Sequence, residues 1–382
     1  MLRESHIPAG GCGFYATRGG SKRPEARRRL SEKNVERPGR TADRRSASSL
    51  ERRLVCSLLW QKNSRRKKPV RYDLFTQHTI RADVHFSGAG LHTGARVHVV
   101  LRPAPPDHGV VFYRVDQPGT PAVPARYDHV VDTALATVIG KNGVSVATVE
   151  HFMAAVRVAG LDNLRVEIDG AEMPVLDGSA KPFLEILQEA GLQPQEAPKK
   201  CLRVNHPFMV SQGDAYIKVA PSDELRICYT IDFPHPLVGR QAYVWKFDPG
   251  SFARDLASAR TFGFLRDVQS LQSRGLALGG SLENAVVFDD HKVLNPDGLR
   301  YRDECVRHKV LDFVGDLGLC PFPVFGAFEA HKAGHALHNR LLRHLCERPG
   351  YVRFVPATVM PPRSVAPPRS TVYWKPPVLP AG

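Results

Sequence analysis

The segment VRHKVLDFVGDLG, residues 306–318, sets His308, Asp312 and Asp316 four residues apart. On a 3.6-residue period Val306, Val310, Phe313, Val314 and Leu317 share one stripe, while the three polar residues climb a different meridian of the same helix. Such a row is ordinarily a solvated face. It is also the way a neutral imidazole and a carboxylate one turn apart grip a single cation. Spacing alone leaves both readings open.

Three further stretches bear on the choice. TVEH, residues 148–151, puts Glu150 directly before His151 at an expected helix start. Alone, that is a first-turn carboxylate beside a surface imidazole, since acids are favoured there. Beside His308 and Asp312 it gains a second meaning. A hydrolytic zinc takes three protein ligands and keeps a position for water, and His151, His308 and Asp312 would supply the three. Zinc brings the pKa of a bound water down to about 7, so Glu150 would have only a loose proton to take. His335, in HKAGHALHN, follows a glycine at another expected helix start; it reads either as a surface residue or as an imidazolium that stabilises an oxyanion and protonates a leaving amine. Thr261, in ARTFGF, is expected just after a helix, either structural or donating to a tetrahedral oxyanion.

The elements that must position these groups are legible in outline. Alternating residues in HTIRADVHFSG and ARVHVVLRPA, around GAGLHTG (88–94), predict two strands with a Gly-rich connection, and VVFYRVD and LRVEID predict two more. Val149, Phe152, Met153 and Val156 predict a helix over 148–159 stopped by Gly160, and DGSAKPFLEILQEAG one capped near Ser179 and ended by Gly191. LQPQEAPKK, 192–200, reads as a domain linker. Beyond it, strands are expected near LRVNHPFMV, AYIKVAP, LRICYTIDF and PVFGAFEA, and helices within 249–260 and 264–274, at 306–318 and over HALHNRLLRHL. Sheets and helices alternate without a βαβ rhythm, which favours α+β layers over a doubly wound sheet. No GxGxxG follows a strand and there is no Walker loop, so nucleotide-hydride and P-loop chemistry drop out.

Net charge is +15, but residues 1–72 hold 20 Lys/Arg against 6 Asp/Glu, leaving 33 against 32 for the rest. The body is therefore near neutral and no nucleic-acid binding is expected of it. Residues 1–75 are Arg-, Ser-, Gly- and Pro-rich without a hydrophobic period. They read as a disordered basic extension or as an artefact of start-site assignment. No apolar run approaches the roughly 18 residues of a membrane span. Seven scattered cysteines without a CxxC pair suit reduced thiols in a cytoplasm and argue against a disulfide framework.

Taken together, GLHTG (90–94), LRPAP (101–105), TVEH, LDGSA (176–180), ARTFGF (259–264), SRGLALGGS (273–281), VLNPDGLR (293–300), VRHKVLDFVGDLG and KAGHALHNRLL (332–342) resemble, in order, the UDP-3-O-acyl-N-acetylglucosamine deacetylases, zinc enzymes of lipid A synthesis. The resemblance spans roughly 77–370. It implies one zinc per chain held by His151, His308 and Asp312, with Glu150 as general base, His335 as oxyanion-stabilising cation and acid, Asp316 as its supporting carboxylate, and Thr261 as oxyanion donor. On the substrate side it implies Lys309 at the diphosphate or sugar, Phe233 stacking on uracil, His92 and Lys332 along the nucleotide path and Phe262 in contact with substrate. Leu91, Val268, Ala277 and Val287 would wall an acyl-chain passage.

The implied fold is two similar two-layer α/β sandwich domains, 76–195 and 201–360, with an acyl-chain insert near 262–288, the site between them, and a tail over 361–382. The expected reaction is hydrolysis of the acetamide of UDP-3-O-(3-hydroxyacyl)-N-acetylglucosamine by a cytoplasmic monomer with no nucleic-acid partner and no membrane span. A zinc deacylase acting on another acylated sugar nucleotide is one rival. A basic nucleic-acid-binding protein with a catalytically dead body is the other.

Overall fold

The computed structural model describes residues 75–348, 350 and 352–356. The basic extension and the 361–382 tail lie outside the described residues. All described residues belong to one compact unit, Lys68–Gly382.

The fold is α+β, built from two sheet-and-helix layers. In the first, the strands Val84–Ala89, Arg96–Pro103, Leu164–Ile168, Val110–Arg114 and Val123–Pro124 lie side by side in that order. Val97, Val99 and Leu101 are buried while the alternate residues Arg96 and His98 are exposed, the one-faced alternation of a sheet with a single covered side. Helices α1 (Glu150–Ala159) and α2 (Lys181–Ala190) cover that side. Phe112 meets Phe152 edge-on with ring centroids 6.1 Å apart, and Phe152 meets Phe183 at 5.7 Å. Gly160 takes a left-handed φ of 81° to end α1, as expected from its position.

The second layer begins with strands Lys200–Val204, Phe208–Gln212, Ala215–Ala220, Leu225–Asp232 and Arg240–Lys246. Two short helices follow: α3 (Pro249–Asp255), whose N-cap Asp248 accepts from Ser251 N at 2.8 Å, and α4 (Leu265–Ser273). Next comes α5 (Glu304–Leu317). The strand Val324–His331 sits at the middle of the sheet, antiparallel to Ala215–Ala220 and parallel to both Leu225–Asp232 and Lys200–Val204. Helix α6 (His335–Glu347) completes the layer.

The layers meet where α1 packs on α5. A Cβ on Gly315 would stand 2.0 Å from the Glu150 carbonyl oxygen, so the approach requires glycine. The stripe Val306, Val310, Phe313, Val314 and Leu317 is buried, and so is the polar row: His308, Asp312 and Asp316 are each 2% exposed. The solvated-face reading of that row is therefore wrong.

Three local expectations are corrected. HTIRADVHFSG is not one strand but two, Thr76–Ile80 and Val84–Ala89, in different sheets. The expected linker is largely a strand, Leu192–Pro198, because its backbone pairs antiparallel with Thr76–Ile80. Thr261 does not follow a helix end directly: α3 stops at Asp255, and Thr261 leads into the strand Phe262–Phe264, which pairs in parallel with Val286–Phe288.

Candidate metal centre

His151 is brought by the first turn of α1, and His308 and Asp312 by successive turns of α5. Asp312 Oδ1 lies 3.5 Å from His151 Nε2 and 3.2 Å from His308 Nε2, and the two imidazoles meet edge-on at 4.9 Å. One ligand atom from each of the three residues falls within 4.8 Å of the others. His308 Nδ1 donates to the Ala259 carbonyl at 3.0 Å, which leaves the Nε2 lone pair facing the cluster. Lys309 Nζ donates to Asp312 Oδ2 at 3.0 Å, so that oxygen is used, whereas buried Oδ1 has no hydrogen-bond partner.

A buried carboxylate oxygen without a donor, faced by two imidazole nitrogens, is a costly arrangement. It is satisfied by a cation, and two nitrogens plus one carboxylate oxygen is a donor set suited to zinc. Burial lowers the His308 pKa to about 3 despite the neighbouring Asp312, which keeps the ring in its ligating neutral form. Burial would raise Asp312, but the His308 ring and the Lys309 ammonium beside it hold it well below the usual carboxylate range. The residues present fit the metal.

On the other side of the cluster, Glu150 accepts from Thr137 N at 3.1 Å through Oε2, and its Oε1 lies 3.8 Å from His335 Nε2. Burial raises the Glu150 pKa. His335 opens α6, where the helix dipole disfavours a cation. Its Nδ1 donates to Asp316 Oδ2 at 2.7 Å. Although burial pulls its pKa down, the Asp316 carboxylate more than offsets this and lifts it to about 9. The site thus juxtaposes a desolvated carboxylate with an imidazole held protonated near neutral pH.

TVEH is locked from behind. Thr148 sits at φ 57°, and its hydroxyl donates to Glu172 Oε1 at 3.0 Å. Glu172 also accepts from His92 N and Thr93 N, both at 2.9 Å, which ties the GLHTG loop to the start of α1. ARTFGF is pinned by a buried ion pair: Arg260 Nε donates to Glu304 Oε1 at 2.9 Å at the head of α5.

A family model described as LpxC, UDP-3-O-acyl N-acetylglycosamine deacetylase, matches residues 77–347. The chain belongs to this family. Among curated relatives, the chain is 50% identical over 283 residues to the UDP-3-O-acyl-N-acetylglucosamine deacetylase of Myxococcus xanthus, covering 74% of this chain and 90% of that one. It is 49% identical over 271 residues to the enzyme of that name from Oleidesulfovibrio alaskensis, 71% of this chain and 89% of that one. With the Histophilus somni enzyme of the same name the figures are 45% over 285 residues, 74% and 93%.

The residues expected on the substrate side of this family's site divide into two groups. Leu91, His92, Phe262 and Lys309 line, with Glu150, His151, Thr261, His308, Asp312 and His335, a cavity of about 110 Å³. Phe233, Lys332, Val268, Ala277 and Val287 are not in that lining. Phe233 reaches it at one remove, edge-on to Phe262 at 5.5 Å, and Lys332 Nζ is engaged by Asp214 at 2.9 Å. The insert docks on the GLHTG loop through Leu278 N to His92 O and Gly279 N to Leu91 O, both 3.1 Å; a Cβ on Gly279 would lie 2.1 Å from Gly90 O. A larger cavity, about 410 Å³, is lined by Gln77, Arg157, Lys199 and Cys320 among others, away from the cluster. The smaller one is the candidate site, because there the perturbed acid, base and ligand groups converge.

Sequence reading missed Thr137, Glu172, Tyr229 and His338. Thr137 Oγ1 donates to Asp316 Oδ1 at 2.6 Å across 179 residues of chain, and no local pattern announces such a contact. His338 alone left a signal, its i, i+3 spacing from His335 on one helix face.

Proposed function

We infer that this chain hydrolyses the acetamide of UDP-3-O-(3-hydroxyacyl)-N-acetylglucosamine to the free 2-amine and acetate, the committed step of lipid A biosynthesis. The observation that carries the reading is the unpartnered Asp312 Oδ1 facing His151 and His308 beside the Glu150–His335 pair. His151, His308 and Asp312 hold one zinc. Bound there, zinc supplies Lewis acidity toward the amide carbonyl and toward water.

The chain's own groups move the protons. Glu150, made a stronger base by burial, takes the proton of the attacking water as its oxygen bonds to the amide carbon. The Thr261 hydroxyl and the His335 cation donate to the resulting oxyanion. When the C–N bond breaks, His335 Nε2–H protonates the departing amine while Asp316 keeps the ring oriented and its charge balanced. Lys309, with Asp312 Oδ2 already engaged, stands at the cavity wall for the sugar or diphosphate. Phe262, Phe233, His92 and Lys332 bind the nucleotide side. Leu91, Val268, Ala277 and Val287 line the acyl passage.

Binding energy from both ends of the substrate positions the scissile amide. In this reading, segments 76–195 and 201–360 act as two domains contributing His151 and His308 respectively, and the enzyme is a cytoplasmic monomer. No helix among the described residues is long and apolar enough to cross a membrane. Acetate release measured with the 3-O-acyl substrate and with UDP-N-acetylglucosamine tests the reading. A large loss without the acyl chain is expected, and equal rates would point to a deacetylase of simpler sugar nucleotides.

A further inference from the structure

Asp316 Oδ2 receives two histidines at once. His335 Nδ1 and His338 Nδ1 each lie 2.7 Å from it, while Thr137 Oγ1 takes Oδ1. An ionised carboxylate can only accept, so both Nδ1 atoms carry protons. The far nitrogens of the two rings meet different surroundings. His335 Nε2 looks toward Glu150, whereas His338 Nε2 lies 3.0 Å from the Tyr229 hydroxyl, which in turn reaches the Ala333 carbonyl at 2.7 Å. His338 is 1% exposed, is packed 4.7 Å from the Phe313 ring, and is not in the lining of the site cavity. It lies behind the cavity wall. Both of its nitrogens are nevertheless used, and one is spent on the carboxylate that holds the acid.

We propose that His338 is a positioning residue: it fixes the plane of Asp316 and shares its negative charge, so that His335 is held with Nε2 toward the reacting amide and gives up its proton readily. The proposal rests on the reading of His335 as the acid. Two physical effects carry it. A carboxylate gripped at Oδ1 by Thr137 and at Oδ2 by His338 cannot rotate away from His335. A second N–H on Oδ2 also draws charge from that oxygen, so the His335 cation is stabilised less than it would be by an unshared carboxylate. The charged and titratable groups bearing on His335 are Asp316, Glu150, Asp312 and His338; those on His338 are Asp316, His335, Lys309 and Tyr229.

The two nitrogens of His338 can be separated. In His338→Asn the side-chain amide stands where Nδ1 stood and can still donate to Asp316. In His338→Gln it reaches instead toward the Nε2 position and Tyr229. His338→Leu keeps the bulk and neither bond. With the full chain, kcat, KM, zinc content and pH profile are measured for all three. Leu and Gln are expected to lower kcat by about 10- to 100-fold, the size typical when an outer-shell partner at a metal site is lost, with KM and zinc unchanged and the alkaline limb moved to higher pH. Asn is expected to recover kcat to within a few-fold. Gln fully active with Asn as impaired as Leu, or all three equal to one another, would overturn the proposal.

Should the variants fail to fold, the unsubstituted protein still decides. Selective ¹⁵N-histidine labelling is expected to show two strongly downfield Nδ1–H protons from the shared carboxylate, and one alone contradicts it. His335→Asn distinguishes the role of His335 from that of His338. If that variant is fully active, the acid assignment itself fails; if it is inactive while every His338 variant is normal, only the present proposal fails.

Discussion

Glu150 Oε1 and His335 Nε2 stand 3.8 Å apart, one at the first turn of α1 and the other at the first residue of α6. Their environments push them in opposite senses: burial makes the carboxylate a stronger base, and Asp316 keeps the imidazole charged. Two titratable groups so divided are suited to serve as base and acid in one reaction.

Metal retention and turnover should therefore separate. Glu150→Ala is expected to keep zinc and lose about 10²- to 10⁴-fold in rate, the scale of a general base. His308→Ala is expected to lose the zinc itself. Metal analysis alongside an acetate-release assay checks both, and equal zinc loss in the two would contradict the assignment.

Rate against pH should be bell-shaped. His335 must be protonated to act as acid; because its pKa is raised, activity holds across neutral pH and is lost as pH rises through about 9. Glu150 must be ionised, and activity is lost as pH falls through its raised value. In His335→Gln the alkaline limb should vanish. A flat profile in the unsubstituted enzyme would rule out acid–base work by this pair.

Gly315→Ala should be costly despite its conservative size. Its Cβ would meet the Glu150 carbonyl at 2.0 Å, and backbone cannot yield as a flexible side chain can. A loss of about 1–3 kcal/mol is expected from overpacking, together with reduced turnover as α1 shifts. Thermal unfolding and kcat would report it, and an unchanged melting temperature would refute the tight-crossing argument.

The three candidate metal ligands could be named from the sequence because two of them lie one helical turn apart on an element whose apolar stripe is unambiguous, and the third sits in a short block beside a glutamate. The sheets were legible from alternation, as in Val97, Val99 and Leu101. What was not legible is what only tertiary structure creates. Thr137 and Tyr229 reach the site from loops and strands with no chemical signature. Leu192–Pro198, rich in Gln and Pro, became a strand only because Thr76–Ile80 offered an edge to pair with. Burial of the His308–Asp312–Asp316 row was likewise invisible, since it depends on α1 packing across α5.

Removing residues 1–72 should leave both zinc content and turnover intact, since the family match begins at residue 77. Abolished turnover with zinc retained would mean that the basic segment takes part in catalysis.

The proposed chemistry depends on one ligand set, and X-ray absorption at the zinc edge of the purified chain tests it directly. The expected spectrum has light-atom scatterers at about 2.0–2.1 Å with the multiple scattering of two imidazoles, and His151→Ala, like His308→Ala, is expected to lose the zinc. A sulfur shell near 2.3 Å, or a spectrum unchanged by His151→Ala, would contradict it.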